Sequence, residues 1–329
     1  MKQRAFSTSG SVSEIGLGTW QLGGTEWGAV SESVALATLE AASEAGMTFL
    51  DTADIYGQGR SESLIGKFLA ARSDRDRFFV ATKLGRSADP GWPQNFQTET
   101  IRRHTERSLQ RLGVESLNLT QTHCIPADVM RDGQVWEALR LLKQEGKIQA
   151  FGASVESMDE AVDCLRVEGL SSLQIIFNVF RQKPIHELFD LALAKQVALI
   201  VRLPLASGLL GGKFSRTTKF AETDHRSFNR DGKSFNVGET FAGLPLEYGF
   251  ELIEEFRSLV PAGWNMAEWA LRWCLDFPAV TTVIPGATRP DQARSNARAS
   301  DREPLSSEVH TALRQLYESK IVAHIRGKY

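Results

Sequence analysis

Phe78-Phe-Val-Ala-Thr-Lys83 and Leu117-Asn-Leu-Thr-Gln-Thr-His123 flank a helical run from Ile101 to Leu112 that Gly113 closes. Two short apolar, β-branched runs around an amphipathic helix read as a parallel strand–helix–strand unit. The pattern extends in both directions. Upstream lie strands EIGLGT (14–19) and MTFLDT (47–52), with a helical run from Val34 stopped at Gly46 between them. Downstream lie QAFGAS (149–154), LQIIFN (173–178), ALIVRLP (198–204) and VTTVIPG (280–286). A helical run from Val135 to Glu145 stops at Gly146, and Ser157-Met-Asp-Glu160 reads as a capping box opening the next helix. Eight strands alternating with helices predict an α/β fold, a (β/α)8 barrel in one domain over residues 1–329. The competing open, doubly wound sheet calls for a third glycine after its first strand. Here Gly16-Leu-Gly18-Thr-Trp-Gln lacks it.

Composition narrows the function classes. The 329 residues are 42% hydrophobic and 24% charged, enough for a large core. Charges nearly cancel, 38 Lys+Arg against 40 Asp+Glu, so the chain as a whole is not drawn to nucleic acid or membranes. MKQRAFSTSG has no apolar signal core, and no apolar run is long enough for a bilayer. Three scattered cysteines, Cys124, Cys164 and Cys274, argue against a disulfide framework and for the cytoplasm. The six histidines show no metal-ligand spacing, so no metal is expected. The expected partner is a small molecule, and the expected state a monomer or weak homo-oligomer.

Two stretches lack periodicity: 85–97 (GRSADPGWPQNFQ) after the third strand and 214–245 after the seventh. Loops of this length are often binding elements or lids.

Asp51, Lys83 and His123 end predicted strands two, three and four, and Tyr56 follows Asp51 by five residues. In a barrel, strand ends of this kind meet on one face, where active sites form. Singly, each has an ordinary explanation: a helix cap, a turn, a solvated ammonium, a ring bonded to backbone. Together they are a proton-transfer set for a carbonyl. A phenol titrates near pH 10 on its own, and a neighbouring ammonium stabilises its phenolate. A buried carboxylate holds the ammonium, and an imidazole orients the carbonyl oxygen.

The chain resembles the aldo-keto reductases along nearly its whole length. The matching segments are Leu17-Gly-Thr-Trp20, Leu50-Asp-Thr-Ala-Asp-Ile-Tyr-Gly57, Ala81-Thr-Lys83, Gln121-Thr-His123 and Gly152-Ala-Ser154. Gln174-Ile-Ile-Phe-Asn178, the glycine-rich Pro204 to Lys213 and the Ile284 to Asn296 segment continue the series. The resemblance implies carbonyl reduction by hydride transfer from NADP(H), with NAD(H) possible. It implies Tyr56 as general acid, Lys83 and Asp51 as its tuners, and His123 as the carbonyl's guide. It also assigns the cofactor surface. Gly18, Thr19, Trp20 and Asp51 belong to it at the first strand ends, and Ser154, Gln174 and Asn178 would hold the carboxamide. Arg202, Pro204 and Leu205 follow, and the run Ser207, Gly208, Leu209, Gly211 and Lys213 suits a pyrophosphate. Gly286, Thr288, Arg289, Gln292 and Asn296 surround a helix N-terminus, with Arg289 placed for a 2′-phosphate and Asn296 for adenine. Trp20, Trp92 and the 214–245 stretch are expected to wall a mostly apolar substrate pocket beside Tyr56 and His123.

Three departures qualify the match. Val155 stands where the family often has Asn, and Arg202 where many members stack an aromatic on the nicotinamide. Gly286 and Gln292 replace basic residues found in some members, which weakens the preference for NADPH. The alternative function is a nicotinamide-binding, redox-sensing subunit with slow turnover.

Overall fold

The computed structural model describes residues 1–7, 10–24 and 26–329. Eight strands form one parallel sheet in chain order: β1 (Leu17–Gly18), β2 (Phe49–Asp51), β3 (Phe79–Leu84), β4 (Leu117–His123), β5 (Ile148–Ser154), β6 (Ser172–Ile176), β7 (Ala198–Arg202) and β8 (Val280–Val283). Parallel bridges Ile15↔Val283 and Gly18↔Gly286 join the first strand to the last. Backbone bonds from Gly16 N to Val283 O (2.8 Å) and from Gly18 N to Pro285 O (3.1 Å) complete that seam. An open doubly wound sheet has no such seam, so the sheet is the expected (β/α)8 barrel. A Cβ on Gly18 would lie 2.9 Å from Ile284 O, so this close approach requires glycine.

The helices that cover the sheet follow the sequence signals. Glu32–Glu44 (α1), Thr98–Leu112 (α3) and Gln134–Gln144 (α4) end beside Gly46, Gly113 and Gly146, all at positive φ. Arg60–Ala70 is α2. The Ser157–Glu160 capping box opens Met158–Cys164 (α5), with both reciprocal bonds present. Phe189–Ala194 (α6), Met266–Leu275 (α7) and Pro290–Ala297 (α8) complete the ring. Among the described residues, no helix is long and apolar enough to cross a membrane.

An N-terminal hairpin, Gln3–Ala5 paired with Ser11–Ser13, closes the barrel floor. Its three-residue strands carry no readable alternation, so the sequence reading missed it. Phe6, fully buried at its turn, packs 4.6 Å from Phe79 and 6.0 Å from Phe49 between ring centroids. Leu119, Ala150 and Ile200 join this apolar plug. The plug occupies the N-terminal end of the barrel and leaves the C-terminal end for polar side chains.

Candidate active site

Phe49, Ala81 and Leu119 point into the barrel, and side chains on a strand alternate. Asp51 and Lys83, two residues on, and His123, four residues past Leu119, therefore point inward as well, above the plug. Register sets their neighbours: Lys83 lies beside Gln121, His123 beside Ser154, and Ser154 beside Gln174.

Lys83, 1% exposed, donates to Asp51 Oδ1 at 2.6 Å, Thr52 O at 2.8 Å and the Tyr56 hydroxyl at 3.3 Å. All three ammonium protons are thus directed. Burial alone would pull Lys83 down, but the Asp51 carboxylate and the Tyr56 oxygen hold its pKa above the ordinary value. Gln174 Nε2 donates to the other Asp51 oxygen at 2.7 Å, so the carboxylate is bonded on both sides. For Tyr56 the balance differs from the sequence expectation of a lowered phenol. Burial outweighs the Lys83 charge and, with Asp51, lifts its pKa. Tyr56 is therefore neutral near pH 7, with an ammonium in place to stabilise the anion it would leave.

His123 packs edge-on to Tyr56, ring centroids 5.7 Å apart. Burial and the charges of Arg86, Lys83 and Arg202 push its pKa well below the ordinary imidazole value, so it is neutral. Among the described residues, its buried Nδ1 has no hydrogen-bond partner. Trp20 stacks on the far side of Tyr56 at 5.9 Å and 18°.

A cleft of ≈ 950 Å³ opens above these groups. Gly18, Thr19, Trp20, Asp51, Tyr56 and His123 line it. So do Ser154, Gln174, Arg202, Pro204, Leu205, Ser207, Gly208, Gly211, Lys213, Gly286, Thr288, Gln292 and Asn296. Ser207 and Gly208 both have positive φ, 56° and 91°. The Ser207 hydroxyl holds this turn by donating to Glu239 O at 2.9 Å and accepting from Phe241 N at 3.2 Å. Gln292 accepts from both Thr288 N (2.8 Å) and Thr288 Oγ1 (2.9 Å), which shapes the start of α8.

Five expected site residues lie off the cleft. Lys83 sits behind Tyr56. Asn178 is fully buried, donating to Leu203 O at 2.9 Å and accepting from Phe180 N at 3.0 Å. Leu209 packs in the core. Arg289 is 57% exposed and donates to Asp291 Oδ1 at 3.1 Å. Trp92 is 51% exposed and folds back on its own loop, Nε1 donating to Gly85 O at 2.5 Å.

The cleft also holds Glu26, Trp27 and Arg86, which the sequence reading did not single out, and Phe228, Phe235 and Glu239 from the 214–245 stretch, which it expected along the pocket wall only as a stretch. That stretch is folded, with a short helix at His225–Phe228 and Asn229 and Thr240 buried. Arg86, three residues past Lys83, sits just beyond a strand end and was readable on that ground. Glu239 was not, because no local pattern brings residue 239 back over β7. Arg202 does not lie free for stacking. It stands 3.3 Å from the Glu239 carboxylate, and its Nη2 donates to Val155 O at 3.2 Å.

The model of the Aldo/keto reductase family matches residues 14–318, and the chain belongs to that family of oxidoreductases, which use nicotinamide cofactors. Aldo-keto reductase YhdN of Bacillus subtilis (strain 168) is 30% identical over 288 residues, covering 85% of this chain and 83% of its own. The NADH-specific methylglyoxal reductase of Escherichia coli (strain K12) is 28% identical over 330 residues, covering 95% and 97%. Among solved structures, glycerol dehydrogenase AKR11B4 from Gluconobacter oxydans matches with a TM-score of 0.77 at 27% identity, covering 99% of this chain and 97% of that one.

Proposed function

We propose that this protein reduces aldehydes and ketones to alcohols, reversibly, with Tyr56 as the proton donor. The observation that carries the reading is the buried chain Asp51–Lys83–Tyr56, 2.6 and 3.3 Å between successive polar atoms, which ends at a cleft beside His123, whose Nδ1 has no partner among the described residues. A nicotinamide dinucleotide supplies the hydride when bound. The cleft suits one: its ≈ 950 Å³ is of ligand size, and its lining runs from Tyr56 to the start of α8. Ser154 and Gln174 would hold the carboxamide end. The left-handed turn at Ser207–Gly208, Lys213 and the N-terminus of α8 would hold the phosphates.

The neutral His123 donates a hydrogen bond to the substrate carbonyl oxygen and draws its electrons. Tyr56 gives that oxygen its proton, and Lys83, held by Asp51 and Thr52 O, stabilises the phenolate left behind. Trp20 fixes the plane of the phenol and forms one wall of the substrate space.

Either dinucleotide fits this reading. Arg289 meets a 2′-phosphate only by turning from Asp291, whose carboxylate also lines the cleft. That arrangement tempers the expected preference for NADPH, and the E. coli relative is named for NADH. The test is Tyr56→Phe. The variant should quench its fluorescence on NAD(P)H titration as wild type does, yet lose reduction of 4-nitrobenzaldehyde. Turnover at the wild-type rate would refute the assignment.

A further inference from the structure

Four acids line the cleft: Glu26, Asp51, Glu239 and Asp291. Three of them are paired. Asp51 holds Lys83 at 2.6 Å, Glu239 faces Arg202 at 3.3 Å, and Asp291 accepts from Arg289 at 3.1 Å. Among the described residues, the Glu26 carboxylate makes no ion pair, and its buried Oε2 has no hydrogen-bond partner. The basic groups around its neighbour Trp27 do not supply one. Arg226, 5.0 Å from the Trp27 ring, is held by Asp224 through bonds of 2.9 and 2.5 Å. His225 packs 4.3 Å from Trp27, but burial pulls its pKa down to about 4, so it is uncharged near pH 7.

The fold holds this carboxylate at the cleft. Glu26 lies in the loop between β1 and α1, and His225 N donates to its carbonyl at 2.9 Å, which ties the loop to the 214–245 stretch. The side chain folds back over Gly24, where a Cβ would stand 1.9 Å from Oε2. The neighbouring cleft wall is aromatic. Trp20 lies 5.4 Å from Trp27, 6.0 Å from Phe235 and 5.9 Å from Tyr56 between ring centroids, and all four rings line the cleft. One indole therefore separates the phenol from the loop that carries Glu26.

Building on the reading above, we infer that Glu26 recognises the substrate's far end, and that the protein prefers carbonyl compounds carrying an ammonium group there, about the width of one ring from the reacting carbonyl. The carbonyl meets Tyr56 and His123, and the ammonium lies beyond Trp20. Its N–H donates to Glu26, and a charge-assisted bond of this kind is among the strong ones. Aromatic faces beside it attract the cation further. An alkyl end covers Oε2 and leaves it unpaired, and a carboxylate end meets a like charge.

The test uses a shape-matched pair with the full chain and saturating NADPH or NADH. 4-(Dimethylaminomethyl)benzaldehyde, protonated at pH 7, is compared with 4-isobutylbenzaldehyde, in which a C–H replaces the N–H. Wild type should show a KM at least fivefold lower for the ammonium member. Glu26→Gln and Glu26→Ala should each cut that advantage at least threefold by raising its KM. Taking the ratio within one variant cancels both intrinsic reactivity and losses of folded protein. Equal KM values in wild type, or an advantage that survives both substitutions, would overturn the inference and leave carbonyl reduction standing. A weakened dinucleotide Kd in Glu26→Gln with the advantage intact would assign the carboxylate to a cofactor hydroxyl, which overturns the inference as well. No turnover of any carbonyl with either dinucleotide would overturn both readings.

Discussion

Replacing Lys83 by methionine separates two effects that the buried ion pair combines. The ammonium lies 3.3 Å from the Tyr56 oxygen. With an effective dielectric of about 20, a full phenolate charge at that distance is stabilised by about 332/(20 × 3.3), or 5 kcal/mol. With the proton half transferred in the transition state, about half of this is at stake. Lys83→Met should then lower kcat by roughly 70-fold, corresponding to about 2.5 kcal/mol. The same change strands the Asp51 carboxylate, 3% exposed, with Gln174 as its remaining side-chain donor. An uncompensated buried charge costs about 3–5 kcal/mol of stability. Thermal unfolding should therefore fall by roughly 5–10 °C. Adding Asp51→Asn removes the stranded charge. The double variant should regain most of the lost melting temperature but little of the lost kcat. Calorimetry and single-turnover reduction on the same samples decide the matter. Recovery of activity together with stability would show that Lys83 acts only by holding the fold, and the assignment of Lys83 to phenolate stabilisation would be wrong.

Three other outcomes are expected. Burial raises the Tyr56 phenol and depresses the His123 imidazole, so neither group titrates near neutrality. kcat/KM for reduction should stay flat from about pH 6 to 9 and fall only above the ordinary phenol value of about 10, as the proton donor is lost; a limb near pH 6.5 would contradict a neutral His123. Asp54, in the loop that carries Tyr56, is raised to about 7 by burial and the nearby Glu62 charge, and its Oδ1 has no partner among the described residues. Its folded pKa exceeds its unfolded value, so wild type loses stability as pH rises through about 4 to 7. Asp54→Asn should gain on wild type by about 2 kcal/mol between pH 5 and pH 7.5 in chemical denaturation. At the α8 terminus, Asp291→Asn frees Arg289 and removes a repulsive charge, so the Kd for NADPH should drop about 5-fold more than that for NADH; Arg289→Ala should shift the ratio the other way, both read by fluorescence titration.

How much was legible follows from where each signal resides. Strand periodicity and the glycines after helices are local, so the barrel strands and the stops of α1, α3 and α4 were readable within a few residues. The placement of Asp51, Lys83 and His123 on one face follows from strand ends plus parallel register, and it too was readable. The hairpin under the barrel was not, because its strands are three residues long and its single informative side chain, Phe6, gains meaning only against Phe49 and Phe79.

By itself, then, the sequence determined the alternation of elements, the barrel topology and the residue types at the strand ends, because those depend on periodicity and neighbours along the chain. Tertiary structure decided which of these groups meet and what charge they carry. It turned Trp92 and Arg289 outward and locked Asn178 and Leu209 into the core behind the cleft. It brought Glu239 from the 214–245 stretch to within 3.3 Å of Arg202. It also raised Tyr56, since burial in the barrel mouth outweighs the ammonium beside it. Desolvation and contacts across some 40 to 150 positions of sequence leave no local imprint, so the fold alone sets the chemistry of the site.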